Sequence, residues 1–361
     1  MNFTFDTIAP VPGLVIVVPD LYLPRELRGA RADPATVPDL PGIGCLARFG
    51  TRAQLATGWR EWLLRSAGRA DLAGVAPACI AAAALETPSA AATAQPHPAR
   101  AGASWIAMAV HLRAGLTRVH LDHRGLLRLS VEEQAELAGA FAHTFGSSNP
   151  ALRPLPAGEF LLDTPDIIPV AAHEPARCVG AELDQLMPAG VTAAALRRLL
   201  AEIEMWLHAQ PLNERRSRRG AASVTGLWPW GAIGRIVRPE RKVQSAAPLA
   251  FGEDAWLEGL CRLTGSVCRP PPEHLEEVLG SSAGDTVLLS GVGGQLRRDE
   301  DTVAEALLRL DQHFIFPALQ ALRRGTLESL SVIINDTRVQ VRRGSLHRFW
   351  RRAGRGLAEF A

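Results

Sequence analysis

The chain is almost without lysine. Of its 39 basic residues only Lys242 is one, and the rest are arginine. A guanidinium matches phosphate and carboxylate geometry in a way an ammonium does not. The arginine clusters at 215–219, 235–241 and 342–355 are therefore read either as phosphate contacts or as solvated, partly self-neutralised surface, the second reading being preferred for the last cluster. A net charge of only +2 and the lack of a known binding module weigh against a nucleic-acid partner. Cysteine is sparse too. Cys45, Cys79, Cys178, Cys261 and Cys268 are an odd, scattered set with no CxxC pair. That pattern excludes a secreted disulfide framework and a zinc ribbon. Long apolar runs are also missing. The N-terminal MNFTFDTIAP is not basic, the first apolar run is broken by Pro19 and Asp20, and Ala76–Ala94 carries Pro77, Glu86 and Pro88. Neither a signal peptide nor a membrane span is expected, and the compartment expected is the cytoplasm.

What is present is enough apolar residue for a sizeable core. The chain has 361 residues, 47% of them hydrophobic. That length suits one large α/β domain with an insertion, or two domains. Leu14–Val18 is a continuous β-branched run that predicts a buried, parallel strand. Asp20 follows at its carboxyl end, where catalytic groups of α/β sheets gather; a plain turn aspartate is the alternative reading. Helices are predicted over 39–49, 59–67 and 255–263. Ser130 and Glu133 have capping-box spacing ahead of Leu137, Phe141 and Phe145. Thr192 is read as the cap of a helix ended by Pro211, and Thr302–Arg324 as one long helix stopped by Gly325. Strands are expected at 104–112, 117–122, 159–162, 223–228 and 286–289, with 330–334 as the last. Alternation of these elements predicts a mostly parallel α/β sheet flanked by helices. The expected division is 1–103 as the first part of the core, 104–190 as an inserted α+β subdomain, and 191–361 as the second part.

One run is more specific than the rest: HAQPLNERRSRRGAASVTGLWPWGAIG, from His208 to Gly234. Asn213, Arg215 and Arg216 follow a helix broken at Pro211. They are candidates to hold an anion, or else to cap the break and pair with acidic neighbours. Trp228, Trp230 and Gly231 close a strand and are candidates for a binding wall.

This run resembles the His-x-x-Pro-[VL]-Asn-x-x-Arg stretch, strand and glycine turn of archaeal-type cofactor-independent phosphoglycerate mutases. It is closer still to their proteobacterial RpfE-like regulatory branch. SWIAMAVHLRAGLTRVHLD, LLAEIEMWLHAQPLN, AWLEGLCRLTGS, LDQHFIFPALQALRRGTLESLSV and LHRFWRR resemble segments of that branch in the same order, covering most of residues 35–352. The resemblance implies an alkaline-phosphatase-like α/β fold. Active members of that superfamily hold two divalent metals with Asp and His and move a phosphoryl group through a Ser or Thr nucleophile. By this likeness Asp20 matches the first metal aspartate, but Leu21 follows where Asp-Gly is usual. Asn335-Asp336-Thr337 stands where an Asp-His pair belongs. Thr36, Thr51 and Thr57 lie near the nucleophile position without its context. Asn213 and Arg216 match the family Asn and Arg, whereas Gly-Ala-Ile-Gly replaces the branch's glycine triplet and Met108-Ala109 its Asp-Pro.

Three functions are therefore expected in order. The first is a non-catalytic regulatory or ligand-sensing protein with a degraded metal site, Asp20 and Asp336 being vestigial. It would take no cofactor, and a small anionic metabolite or a protein as partner. The second is a metal-dependent phosphomutase or phosphatase using a Mn or Zn pair, with Asp20 joined by Asp285 or Asp336. The third is a nucleic-acid-associated protein. Asp122-His123 is read as an exposed turn rather than a metal pair.

Overall fold

The computed structural model describes residues 13–21, 38–85, 102–114, 119–121, 123–146, 150–179, 188–244, 248–281, 284–296 and 302–347. In chain order its strands are β1 (Leu14–Val18), β2 (Thr51–Gln54), β3 (Ala103–Val110), β4 (Arg113–Ala114), β5 (Val119–His120), β6 (Ala151–Pro154), β7 (Phe160–Thr164), β8 (Gly226–Trp230), β9 (Leu249–Phe251), β10 (Cys268–Arg269), β11 (Thr286–Leu289), β12 (Ser329–Ile334) and β13 (Thr337–Arg342). Its helices are α1 (Pro41–Phe49), α2 (Gly58–Ser66), α3 (Pro77–Ala82), α4 (Val131–Phe145), α5 (Ala194–His208), α6 (Pro211–Arg218), α7 (Ala255–Thr264), α8 (Leu275–Ser281), α9 (Val292–Gln295), α10 (Val303–Leu310) and α11 (Phe316–Arg324). Among the described residues no helix is long and apolar enough to cross a membrane.

The chain divides into two compact units. The first comprises 1–68, 244–252 and 266–361, the second 69–243 and 253–265. The second is thus wider than the expected 104–190 insertion on both sides. Its sheet explains why. β8 pairs antiparallel with β3, and Leu196, Ile203 and Leu227 share one apolar cluster with Trp105, Phe141 and Phe160. Splitting the chain at 190 would strip that core.

In the first unit a seven-stranded sheet runs β10-β9-β11-β1-β12-β13-β2. β10, β9, β11, β1 and β12 are mutually parallel; β13 is antiparallel to β12, and β2 is antiparallel to β13. β1 is central, and its Leu14, Ile16, Val17 and Val18 are all buried, as a continuous β-branched run requires. Ile16, Leu288, Val332, Leu307, Phe314 and Leu322 belong to one core cluster.

The predicted helix over 302–324 is present but not regular. α10 starts on a complete capping box, Thr302 with Glu305, and Gly325 ends α11 at φ 81°. Between them Asp311–Ile315 forms a π-helical turn. Its buried Asp311 accepts the backbone N–H groups of Gly42 at 2.9 Å and Ile43 at 2.7 Å, so it caps α1 from across the sequence. Burial pushes the Asp311 carboxyl above its ordinary value, opposed by those two N–H donors.

β12 is not the last strand, as the sequence reading expected. Ile334 pairs with Thr337, so Asn335-Asp336 is a two-residue hairpin turn into β13. Asn335 takes φ 53°, a left-handed conformation that asparagine tolerates better than most residues.

In the second unit an antiparallel sheet runs β6-β7-β3-β8. α4 and α5 cover one face. α4 begins on the predicted Ser130–Glu133 capping box, and Leu137, Phe141 and Phe145 are buried. The α5 stripe is also as predicted, with Leu196, Leu199, Leu200, Ile203 and Leu207 inward. Its start is not. The cap position is Ala193, which makes no side-chain bond, rather than Thr192.

Candidate functional site

The parallel strands β11, β1 and β12 end together, and ligands of open α/β sheets bind beyond such carboxyl ends. Register sets what meets there. Val17 pairs with Leu289 and Val18 with Ile334. Asp20, Ser290 and Asn335-Asp336 therefore emerge at one edge of the first unit.

Asp20 is buried, with 6% of its surface exposed. Its Oδ1 accepts the Val292 N–H at 2.7 Å and its Oδ2 the Gly293 N–H at 2.8 Å. The carboxylate thus sits on the first backbone donors of α9, which have no partner within the helix. Gly291 makes this approach possible. A Cβ there would fall 2.5 Å from Oδ1 and 2.7 Å from Oδ2 of Asp20.

Asn335 serves backbone as well. Its N–H donates to the Val18 carbonyl at 2.8 Å, its Oδ1 accepts the Leu21 N–H at 2.9 Å, and its Nδ2 donates to the Leu21 carbonyl at 3.3 Å. The Asp336 carbonyl accepts the Leu55 N–H at 2.7 Å. The Asp20 and Asn335 side chains are engaged in holding loops.

Other nominees scatter. Asp285 lies beside Gly13, whose added Cβ would be 3.0 Å from its Oδ1. Gly13 precedes β1 and Asp20 follows it, so Asp285 is at the opposite end of the strand, roughly 20 Å away at about 3.3 Å per residue. It cannot share a metal with Asp20. Thr51 is exposed on the edge strand β2, and Thr57 is exposed just before α2. Thr36, Asp122 and the side chain of His123 lie outside the described residues. Among the described residues no three His, Cys, Asp or Glu side chains gather in a way that would hold a metal ion.

The central run falls in the second unit and differs from the sequence reading at one step. Pro211 does not lead from a helix into a loop; it is the first residue of α6, a position that suits proline because its missing N–H has no helical partner. From α6, Asn213 donates to the carbonyls of Leu207 and Val224, both at 2.9 Å, and accepts the Val224 N–H at 2.7 Å. Arg216 is buried; it donates to the Ala222 carbonyl at 2.7 Å and to Glu133 at 2.8 Å. Arg215 pairs with Glu136, and Arg218 with Glu214. The cluster read as an anion site is committed to fixing the entry to β8 and to neutralising its own acids.

Trp228 and Trp230 pair with Met108 and Ile106, whereas Leu227 belongs to the cluster under α4 and α5. Side chains alternate across a strand, so the tryptophans face away from that layer. Trp228 donates its Nε1 proton to the His173 carbonyl at 2.8 Å. Gly231, at φ 77°, offers its carbonyl to the Ala78 N–H at 3.0 Å. Trp228 lines a small cavity with Leu112, Leu200 and Glu204, and neither Asn213 nor Arg216 is among the residues lining it.

Sequence reasoning missed the segment Ser290–Gln295. The buried Ser290 hydroxyl accepts from Gln295 Nε2 at 2.9 Å, and the Ser290 N–H donates to the Val17 carbonyl at 3.0 Å. Its signal was a strand running into Ser-Gly-Val-Gly-Gly, the composition of a tight strand-to-helix turn.

No family model and no curated protein matches the chain. Among solved structures, a cofactor-independent phosphoglycerate mutase from Thermoplasma acidophilum aligns with a TM-score of 0.38 at 16% identity, over 92% of this chain and 89% of its own. The PH0037 protein from Pyrococcus horikoshii aligns with a TM-score of 0.44 at 13% identity, over 97% of this chain and 92% of its own.

Proposed function

We propose that the chain is a non-catalytic regulatory or ligand-sensing protein of the cytoplasm, built on a phosphoglycerate-mutase-like scaffold and allied to the RpfE-like branch. The scaffold reading rests on the ordered sequence motifs and on a mostly parallel sheet of the expected class. The single observation that carries the non-catalytic reading is the Asp20 carboxylate, both of whose oxygens accept backbone N–H donors of the Gly291–Gly293 turn. A two-metal phosphotransferase needs that carboxylate directed at cations, with histidine in support. Here asparagine stands at 335 and grips Leu21. Among the described residues no three metal-ligating side chains gather, which supports reading Asp20 and Asp336 as vestiges of a metal pair.

The test is elemental analysis of the purified chain after incubation with Mn²⁺ and Zn²⁺, together with turnover of a small phosphomonoester and of 3-phosphoglycerate. The expected result is no stoichiometric metal and no metal-dependent turnover. Two metals per chain with turnover abolished by Asp20→Ala would establish the phosphatase or mutase alternative instead.

A further inference from the structure

A cleft of about 200 Å³ opens in the second unit, between α5, the end of α4 and the turn after β7. It is open to solvent on one side and roomy enough for a small metabolite. Phe145, Ile167 and Leu199 give it an apolar lining. Phe145 also belongs to an aromatic cluster, stacked on Phe141 at 4.5 Å and edge-on to Trp206 at 5.6 Å. Charged side chains lie around it: Arg198 and Glu202 on one face of α5, and Asp166 across from them. Arg198 and Glu202 are one helical turn apart, yet no ion pair joins them, and among the described residues neither has a hydrogen-bond or ion-pair partner. Elsewhere in this unit the arginines of α6 pair with nearby glutamates or bond backbone carbonyls.

We propose that this cleft binds a small zwitterion with an apolar tail, of which a free apolar α-amino acid is the simplest. Its carboxylate would meet the Arg198 guanidinium, whose planar fork suits a carboxylate. Its ammonium would lie towards Glu202 and Asp166, and its side chain would replace water against Phe145, Ile167 and Leu199. Positive and negative groups set around an apolar pocket fit neither a plain anion nor a plain cation, because each would meet an unfavourable charge. The assignment goes beyond the reading of the first unit and stands whether or not that unit is catalytic.

The experiment is calorimetric titration of the full chain with leucine and phenylalanine, and with two blocked relatives, leucinamide and N-acetylleucine. Saturable binding of the free amino acids is expected, weakened at least tenfold in each blocked form. Arg198→Ala should weaken leucine at least tenfold while leaving the already weak leucinamide unchanged, because the amide has no carboxylate to lose. Glu202→Gln should show the converse selectivity, weakening leucine but not N-acetylleucine. Arg198 is exposed on a helix and, among the described residues, makes no hydrogen bond or ion pair, so its truncation to alanine should leave the fold intact; the blocked ligands test the idea on the unaltered protein in any case. No binding of either free amino acid at millimolar concentration would overturn the proposal. So would equal binding of free and blocked forms, or full affinity in Arg198→Ala.

Discussion

The Cβ that any residue but glycine would carry at position 291 falls 2.5 Å from Oδ1 of Asp20. The two residues each lie two positions beyond strands that pair in parallel, β1 and β11, and the missing side chain of one is the space the other's carboxylate occupies. A function at this edge and the integrity of the edge are therefore separable by mutation. Asp20→Ala strands the Val292 and Gly293 N–H groups and removes two charge-assisted bonds, a loss of about 2–3 kcal/mol. Asp20→Asn keeps one acceptor and should lose about half of that. Gly291→Ala should destabilise at least as much, since it expels the carboxylate and leaves it buried. Urea unfolding of the three variants measures the order. If Asp20→Ala were instead neutral in stability and changed metal affinity, the carboxylate would be a ligand and not a cap.

Asn213 meets three backbone groups with one amide, two of them on Val224 just before β8. Asn213→Ala should lower stability by roughly 2–3 kcal/mol, because a buried N–H and two carbonyls lose their partner. Asn213→Asp should be worse than its size suggests. The carboxylate keeps the acceptor for the Val224 N–H but faces two carbonyl oxygens where an NH₂ stood. Thermal unfolding monitored through tryptophan emission would read this directly. Equal stability of Asn213→Asp and the parent chain would show that the amide is not the clamp.

These two side chains also mark what sequence reading reaches. Leu14–Val18, the Ser130–Glu133 box and the α5 stripe were legible because each signal is local: a β-branched run, a three-residue spacing, a helical period. α6 was misread because Pro211 stops one helix and starts another with the same ring. β13 was missed because TRVQVR alternates with charged residues and follows what looked like a terminal turn. Asp20 and Asn335 were found as positions, but their partners were not. Asp20 reaches Val292 across 272 positions and Leu21 reaches Asn335 across 314, distances at which no periodicity carries information. Asp311 was not singled out at all, since one acid inside an apolar helix has no local mark.

Arg216 and Arg215 are adjacent in sequence and opposite in weight. Arg216 and its partner Glu133 expose 9% and 14% of their side chains, against 42% for both Arg215 and Glu136. Arg216 is itself buried and holds both Glu133 and the Ala222 carbonyl, and although Glu133 keeps Arg219 at 3.5 Å, Arg216→Ala should lose about 2–3 kcal/mol. Arg215→Ala should cost far less, and 1 M salt should erase most of the difference. A double-mutant cycle with Glu133→Gln and Glu136→Gln separates the pair energies. Anion binding abolished by Arg215→Ala at unchanged stability would reverse the structural assignment of this cluster.

The last prediction concerns pH and Asp311. Burial raises its carboxyl above the ordinary 3.8, although the Gly42 and Ile43 N–H groups favour the charged form. The folded chain then holds this proton more tightly than the unfolded chain does. By linkage, the stability contributed is complete below the unfolded value of 3.8 and is lost as pH rises through the raised folded value. The direction is opposite to that of a salt-bridged aspartate such as Asp71, held below its usual range first by the hydrogen bonds from Arg69, which adds stability as pH rises. Asp311→Asn should remove the falling component. The difference in unfolding free energy between parent and variant should therefore shift in favour of the variant as pH climbs from 3.5 through the carboxyl range, and flatten beyond it. Urea unfolding at half-unit pH intervals resolves the slope. A difference that is flat throughout, or that tilts towards the parent chain, would mean that the two backbone donors outweigh burial and that Asp311 enters the fold fully charged.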